Sequence, residues 1–338
     1  DMPGMDGEEF IGHVSESRLA QAIVVASAID AALLNTVEAM AQAFGLRVLG
    51  SVEKPLTVGK LAAVLSAFEE AGEAPLPESP VEVSTDDLVR ALDREEFVPW
   101  FQPQAEFFNG KVVGVEALAR WRRPDGEYVP PGRFIQLLER DGLADRFTAS
   151  LLGTACRHKK RWEGEGLRVT LSVNISPSCL AAPGTADLYQ QIVNQHGVDP
   201  SEVVLEITES SVMSDTGQSL SALARLRLKG FGLAIDDFGT GYSSLAQLSQ
   251  VPFTELKVDQ GFVTGAHAQP RKRAVIEASL DLARKLDLVV VAEGVESTED
   301  WQMLAELGCD LAQGTLVSTP VPGEKLVDAV ARWRRPTD

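Results

Sequence analysis

The chain has 338 residues, 44% hydrophobic and 24% charged, the composition of an ordinary soluble globular protein with room for two domains or one large barrel plus an appendage. Its 31 basic residues face 49 acidic ones, a net charge of −18, which excludes the basic patches that long nucleic acids need. A small anionic ligand is still compatible with that charge, provided cations or a few arginines neutralise it locally. No apolar run approaches the roughly 20 residues that span a bilayer, and the opening DMPGMDGEEF lacks the basic and apolar regions of a signal peptide. Cys156, Cys179 and Cys309 are widely spaced and odd in number, which argues against a disulfide framework. His13, His158, His196 and His267 are scattered too, which argues against a zinc site of the usual nitrogen and sulfur kind. The expectation is a cytoplasmic protein.

In chain order, QAIVVASA (21–28) predicts a buried strand ending near the hydroxyl of Ser27. DAALLNTVEAMAQAFG (30–45) has helical apolar spacing and stops at a glycine. LRVLGSVEKPL (46–56) predicts a second strand, closing with Lys54 and Pro55. Strand, helix and strand at this length imply a parallel sheet. These residues, with MPGMDG (2–7), resemble the second half of a response-regulator receiver domain, a doubly wound α/β fold. The resemblance implies that Ser27 and Lys54 form a switch around a phosphorylated aspartate and that a sensor histidine kinase acts upstream. By spacing Asp1 is not the acceptor, so the accepting aspartate and the first half of the receiver are expected to lie outside this chain. The predicted division is a receiver portion over 1–70, a linker over 71–83 and a second domain over 84–338. The linker is the Pro- and Glu-rich stretch EEAGEAPLPESPVEV (69–83).

The second domain has the size of a (β/α)8 barrel of the TIM type, and its apolar runs each carry polar residues near their ends. KVVGVEALARW (111–121) carries Glu116, RVTLSVNISP (168–177) Asn174, and EVVLEITES (202–210) Glu206 and Glu209. FGLAIDD (231–237) carries Asp236 and Asp237, FTELKVD (253–259) Lys257 and Asp259, DLVVVAEGVE (287–296) Glu293 and Glu296, and CDLAQG (309–314) Gln313. Helical stretches at 220–230, 274–287 and 298–308 separate the later runs. Parallel barrel strands end at one rim, so these groups are expected around one pocket. Clustered carboxylates repel one another and raise each other's pKa values unless cations compensate them. All-oxygen ligands suit magnesium, manganese or calcium rather than zinc. Adjacent strand residues face opposite ways, so Asp236 and Asp237 can serve one site only where the strand breaks, a break assigned to Gly239 and Gly241.

The ordered set FQP (101–103), EALAR (116–120), SVNIS (172–176), LEITES (205–210), DDFGTGYSSL (236–245), LKVD (256–259), AEGVE (292–296) and GCDLAQG (308–314) resembles the EAL-domain phosphodiesterases, which hydrolyse cyclic di-GMP. The resemblance covers nearly everything from residue 84 onward. It implies one divalent cation held by Glu116, Asn174, Glu206 and Asp236, and a second held by Asp236, Asp237 and Glu293. Magnesium or manganese would be the working ions and calcium an inhibitory one. It implies that Lys257 assists the attacking water together with Glu116 and Asp236, its pKa depressed by the cations. It further implies that Gln102, Leu118, Arg120 and Gln313 meet the substrate, that Glu209 ties down the DFGTGYSSL loop, and that Asp259 and Glu296 support the site. Linear pGpG is the expected product and a homodimer through this domain the expected assembly, with no role for membrane or polymeric nucleic acid. Gln104, Gln260 with Gly261, and Thr315 depart from the family pattern, and are expected to loosen packing near the last strand or the base. A non-catalytic binder of cyclic di-GMP and a different metal-dependent barrel enzyme are the competing readings.

Overall fold

The computed structural model describes residues 22–27, 47–53, 83–182, 184–209, 216–240 and 251–336. The chain divides into two units, Asp1–Glu82 and Val83–Asp338. In the first, β1 (Ala22–Ser27) and β2 (Arg47–Glu53) pair in parallel, from Ala22 opposite Arg47 to Ser27 opposite Glu53. A parallel pair needs a crossover of a dozen or more residues, and residues 28–46 provide that length. The MPGMDG turn, the helix expected over 30–45, Lys54 and the 69–82 stretch lie outside the described residues.

The second unit is a barrel of eight strands with helices outside it. Its staves are β3 (Phe97–Glu106), β4 (Val112–Arg122), β6 (Thr170–Asn174), β7 (Val203–Thr208), β8 (Gly232–Phe238), β9 (Glu255–Val258), β10 (Val289–Ala292) and β11 (Leu311–Gln313). Two short strands, β5 (Tyr128–Val129) and β12 (Val321–Pro322), pair outside the ring with β4 and β3. The described helices are α1 (Thr85–Asp93), α2 (Ile135–Arg140), α3 (Ala144–Gly164), α4 (Pro177–Ala181), α5 (Thr185–Gln195), α6 (Thr216–Leu228), α7 (Gln260–Val263), α8 (Pro270–Leu286), α9 (Thr298–Leu307) and α10 (Leu326–Arg332). Helices α6, α8 and α9, which follow β7, β9 and β10, coincide with the three predicted stretches to within a few residues.

One departure from a regular (β/α)8 order matters for the site. The barrel opens with a strand that the alternation of runs does not reveal: β3 runs antiparallel to both neighbours, β4 and β11, and so closes the ring. The reason is local. Only five residues, 107–111, separate β3 from β4, and a connection that short permits a hairpin but not a parallel crossover. From β4 through β11 all pairings in the ring are parallel. The residues Gln102 and Gln104 therefore enter the barrel on a strand pointing the other way.

A continuous apolar core fills the space between staves and helices, from Phe101 and Trp162 to Leu233, Leu256, Trp301 and Leu304. A second cluster, Leu88, Phe97, Trp121, Phe134, Phe147 and their neighbours, packs α1, α2 and the start of α3 against the ends of β3 and β4. Phe97 lies 5.1 to 5.4 Å, centroid to centroid, from Trp121, Phe134 and Phe147. Rings at that spacing contribute beyond their buried area. They hold the outer end of β4, the stretch that carries Leu118 and Arg120.

Candidate active site

Glu116 lies on β4, Asn174 ends β6, Glu206 lies on β7, Asp236 and Asp237 near the end of β8, and Lys257 on β9, while Glu293 follows β10 directly. Because β4 to β11 run in parallel, these groups converge at one mouth. Glu116, Glu206, Asp236 and Lys257 are buried; Asp237 and Glu293 are half-buried, and Asn174 is exposed at the rim. Lys257 Nζ is the hub. It lies 3.3 Å from Glu116 Oε2, 2.9 Å from Glu206 Oε2, 3.1 Å from Asp236 Oδ1 and 2.8 Å from Glu293 Oε1. The Asn174 amide donates to Glu116 Oε1 at 2.7 Å and Glu206 Oε2 at 3.2 Å.

The electrostatics follow from that crowding. Burial and the Glu116 charge push Glu206 well above the usual carboxylate range, against the pull of Lys257. Burial also works against Glu116, but Lys257 with hydrogen bonds from Gln313 and Asn174 outweighs it, and Glu116 falls below its ordinary value. Glu293 is pushed up to about 7 by burial, partly offset by Lys257, and Asp237 is raised by burial and by Asp236. Burial would lower Lys257, yet four carboxylates hold it well above the usual lysine range. The depressed lysine expected from sequence therefore applies only with cations among those oxygens; the protein's own groups favour the ammonium.

The residues fit hard divalent cations. Glu206 Oε1 is buried without a hydrogen-bond partner, and Asp236 Oδ1, near as it is to Lys257, lacks hydrogen-bond geometry. Oxygens of Asp236, Asp237 and Glu293 lie within 4.8 Å of one another. Unsatisfied buried carboxylate oxygens are costly, and the donor set is all oxygen, as magnesium and manganese prefer.

The break in β8 is sharper than its glycines suggested. Asp237 itself takes a left-handed backbone, φ 56°, and the β8–β9 register slips between Ile235 and Phe238. Asp tolerates that region better than most side chains, so the turn that re-aims the second carboxylate is made by Asp237. Gly239 continues it at φ 98°, whereas Gly241 lies outside the described residues. Buried Glu209 accepts a hydrogen bond from Gly239 N at 2.9 Å, which places it at the start of the DFGTGYSSL loop.

The remaining predicted residues divide. Leu118 lines a cavity of about 470 Å³ beside the mouth, together with Ile135, Phe147, Asn174, Ser176 and Thr208. Arg120, two residues further along the same face of β4, is half-buried over the Trp100 ring and donates to Ala119 O. Gln102 and Gln313 bond to each other at 3.2 Å, and Gln313 also donates to Glu116 Oε2 at 2.5 Å. Asp259 caps the short helix α7 by accepting from Gly261 N at 2.8 Å and does not pair with Lys257. Glu296 is exposed and bonds to none of the described residues. The Glu293 peptide is instead braced by its own backbone, Glu293 N to Val258 O and Val295 N to Gln313 O. A Cβ on Gly314 would lie 2.2 Å from Val295 O, so that approach requires glycine.

A barrel closed by one reversed strand, with five carboxylates and a lysine at its mouth, defines a member of the EAL domain family. Residues 85–320 match that family, and the chain belongs to it. It is 36% identical over 331 residues to the cyclic di-GMP phosphodiesterase RocR of Pseudomonas aeruginosa, across 97% of this chain and 84% of RocR. It is 39% identical over 246 residues to the bifunctional diguanylate cyclase/cyclic di-GMP phosphodiesterase MucR of the same organism, of whose length it covers 36%. Among solved structures, the MucR phosphodiesterase in complex with c-di-GMP superposes with a TM-score of 0.67 at 39% identity, covering 71% of this chain and 98% of that one. The EAL domain of Mycobacterium smegmatis DcpA gives 0.60 at 32% identity, over 71% and 97% of the two chains. Among the described residues no helix is long and apolar enough to cross a membrane.

Proposed function

We propose that the barrel mouth is a two-cation phosphodiesterase site that opens cyclic di-GMP to linear pGpG under control of the first unit. The chain is a cyclic di-GMP phosphodiesterase, a hydrolase of the EAL family. The observation that carries the reading is the Lys257 hub: one ammonium set among four carboxylates, with Glu206 Oε1 and Asp236 Oδ1 of that set left without a hydrogen bond. Glu116, Asn174, Glu206 and Asp236 would hold one magnesium or manganese ion, and Asp236, Asp237 and Glu293 the other. Bound there, the pair supplies charge neutralisation for the phosphodiester and acidity for the attacking water.

The chain's own residues do the rest. Lys257 keeps a proton at Nζ within reach of four carboxylates, and anything that competes for those oxygens weakens its hold. That makes it a proton carrier rather than a fixed charge. Arg120, over the Trp100 ring and on the same strand face as Glu116, would meet an anionic phosphate of the substrate. The cavity beside Leu118 offers an apolar wall to a base. Glu209 anchors the start of the 237–245 loop, which bears on dimer formation in this reading. Water adds across one P–O bond, and the leaving sugar oxygen takes up a proton.

Regulation is read from the first unit. The parallel β1–β2 pair, as the doubly wound receiver fold would have it, supports that reading. Ser27 is the last residue of β1, and this reading gives it the role of the switch hydroxyl. A sensor kinase would then set the fraction of competent sites.

Following pGpG by chromatography, with magnesium or manganese present and then chelated, tests the activity. Cation-dependent pGpG is expected. Tight binding of cyclic di-GMP without product would place the chain among non-catalytic binders instead.

A further inference from the structure

We infer that Gln104 is a positioning residue for Glu116, acting through the amide of Gln313. Gln104 is among the positions where the sequence departs from the family pattern, and its neighbourhood shows what the departure does. Gln104 is buried, on the reversed strand β3, and pairs in register with Gln313 on one side and Gly114 on the other. Its Nε2 donates to Gln313 Oε1 at 2.9 Å. Gln313 Nε2 then donates to Glu116 Oε2 and to Gln102 Oε1, and Gln102 Nε2 passes on to Ser318 O at 3.2 Å.

The direction of this relay is forced. Gln313 Nε2 lies 2.5 Å from Glu116 Oε2 and donates to it, so the Gln313 amide has its NH2 turned toward the carboxylate. Gln313 Oε1 must then face the other way, where it needs a donor, and Gln104 Nε2 is that donor. An aliphatic side chain at 104 would leave Gln313 Oε1 unpartnered and free the amide to rotate its oxygen toward Glu116. Gly114 shows that the arrangement is built in: a Cβ there would lie 2.3 Å from Gln104 Oε1 and 2.9 Å from Thr170 Oγ1. The glutamine occupies the space that the missing side chain leaves.

The inference rests on the phosphodiesterase reading for its turnover readout alone; cation affinity tests it independently. Gln104→Leu, Gln104→Glu, Gln313→Leu and the double Gln104→Leu/Gln313→Leu would be compared with the unaltered chain. Manganese binding without substrate, kcat and KM for pGpG formation, and the melting temperature in saturating manganese would be measured for each. Removing supports one or two bonds from a metal ligand commonly costs tenfold or more. For Gln104→Leu, one bond further out, manganese affinity and kcat should each fall about threefold to tenfold with KM little changed. Gln104→Glu, close in size but unable to donate when ionised, should show the same loss if the leucine variant folds poorly. In the Gln313→Leu background the Gln104 change should add nothing, as a relay requires. Unaltered affinity and kcat in both Gln104 variants, or losses that add fully in the double variant, would overturn the inference. Absence of pGpG from the unaltered chain would reject the phosphodiesterase reading, while manganese affinities would still decide the role of Gln104.

Discussion

The two sectors of the mouth are prepared differently. On the β4–β6–β7 side, Glu116, Asn174 and Glu206 are linked by hydrogen bonds, backed by Gln313 and neutralised by Lys257. On the β8–β10 side, Asp236 is buried and Asp237 and Glu293 half-buried, mutually repelling and without an amide between them; Asp237 depends on a left-handed backbone. The first sector is preorganised by the protein's own donors. Each sector holds a carboxyl pushed up by burial, Glu206 in the first and Glu293, near 7, in the second, so both call for positive charge or protons, but only the first is ordered by side-chain amides. Lys257 touches both, and so decides how much of either set is free.

The largest expected effect comes from the preorganised side. Glu116→Ala should lower turnover by about a thousandfold, measured as pGpG formed per hour, because it removes a ligand and the anchor of the glutamine relay together. Lys257→Met sharpens the comparison, since it removes the one cation common to both sectors. Turnover should fall by about a hundredfold or more. The chelated protein should also lose about 3 to 5 kcal/mol of stability, the cost of leaving buried carboxylates unpaired, and added magnesium should restore much of it. Denaturant unfolding with and without magnesium would show that rescue. Asp237→Asn keeps a side chain suited to the left-handed turn and removes only the charge. It should lower turnover by about tenfold to a hundredfold while the melting temperature of the chelated protein holds or rises slightly, as the repulsion from Asp236 is relieved.

The smallest effect isolates the barrel floor from the mouth. Glu255 opens β9 on the same face as Lys257, and burial, partly offset by Lys257, pushes it up to about 7. A carboxyl raised in the folded state binds more protons folded than unfolded. Its contribution is therefore full below the unfolded value near 4.5 and is lost as pH rises through about 7. The loss is at most about 3 kcal/mol, less after allowance for its partial exposure. Glu255→Gln should flatten that part of the stability curve, measured in saturating magnesium so that the mouth carboxylates contribute little.

Much of this was legible because a polar residue at the end of an apolar run is conspicuous, and seven such ends, five of them with acids, imply one rim. The eight-stranded barrel with outer helices follows from that periodicity and is what the chain forms. What was not legible depended on pairing direction and on single residues without a period. The stave 97–106 escaped the alternation because its partner is its own hairpin, not the next helix. The strand break was assigned to Gly239 and Gly241 because glycine is the usual left-handed residue, yet Asp237 makes the turn first. Gln104 looked like a looser fit because one polar residue in an apolar stretch shows nothing of its cross-strand partner. Its partners, Gln313 and Gly114, lie 209 and 10 positions away. Glu296 shares a motif with Glu293 but is exposed and makes no hydrogen bond to the described residues, since the turn after Glu293 breaks the strand periodicity.

The most direct test is the stoichiometry of manganese binding, read by calorimetry on the unaltered chain and on Asp237→Asn. The account predicts two ions per chain in the first and one in the second, with Asn174, Glu116 and Glu206 still holding their ion. Two ions in both proteins, or a single ion in the unaltered chain, would contradict it.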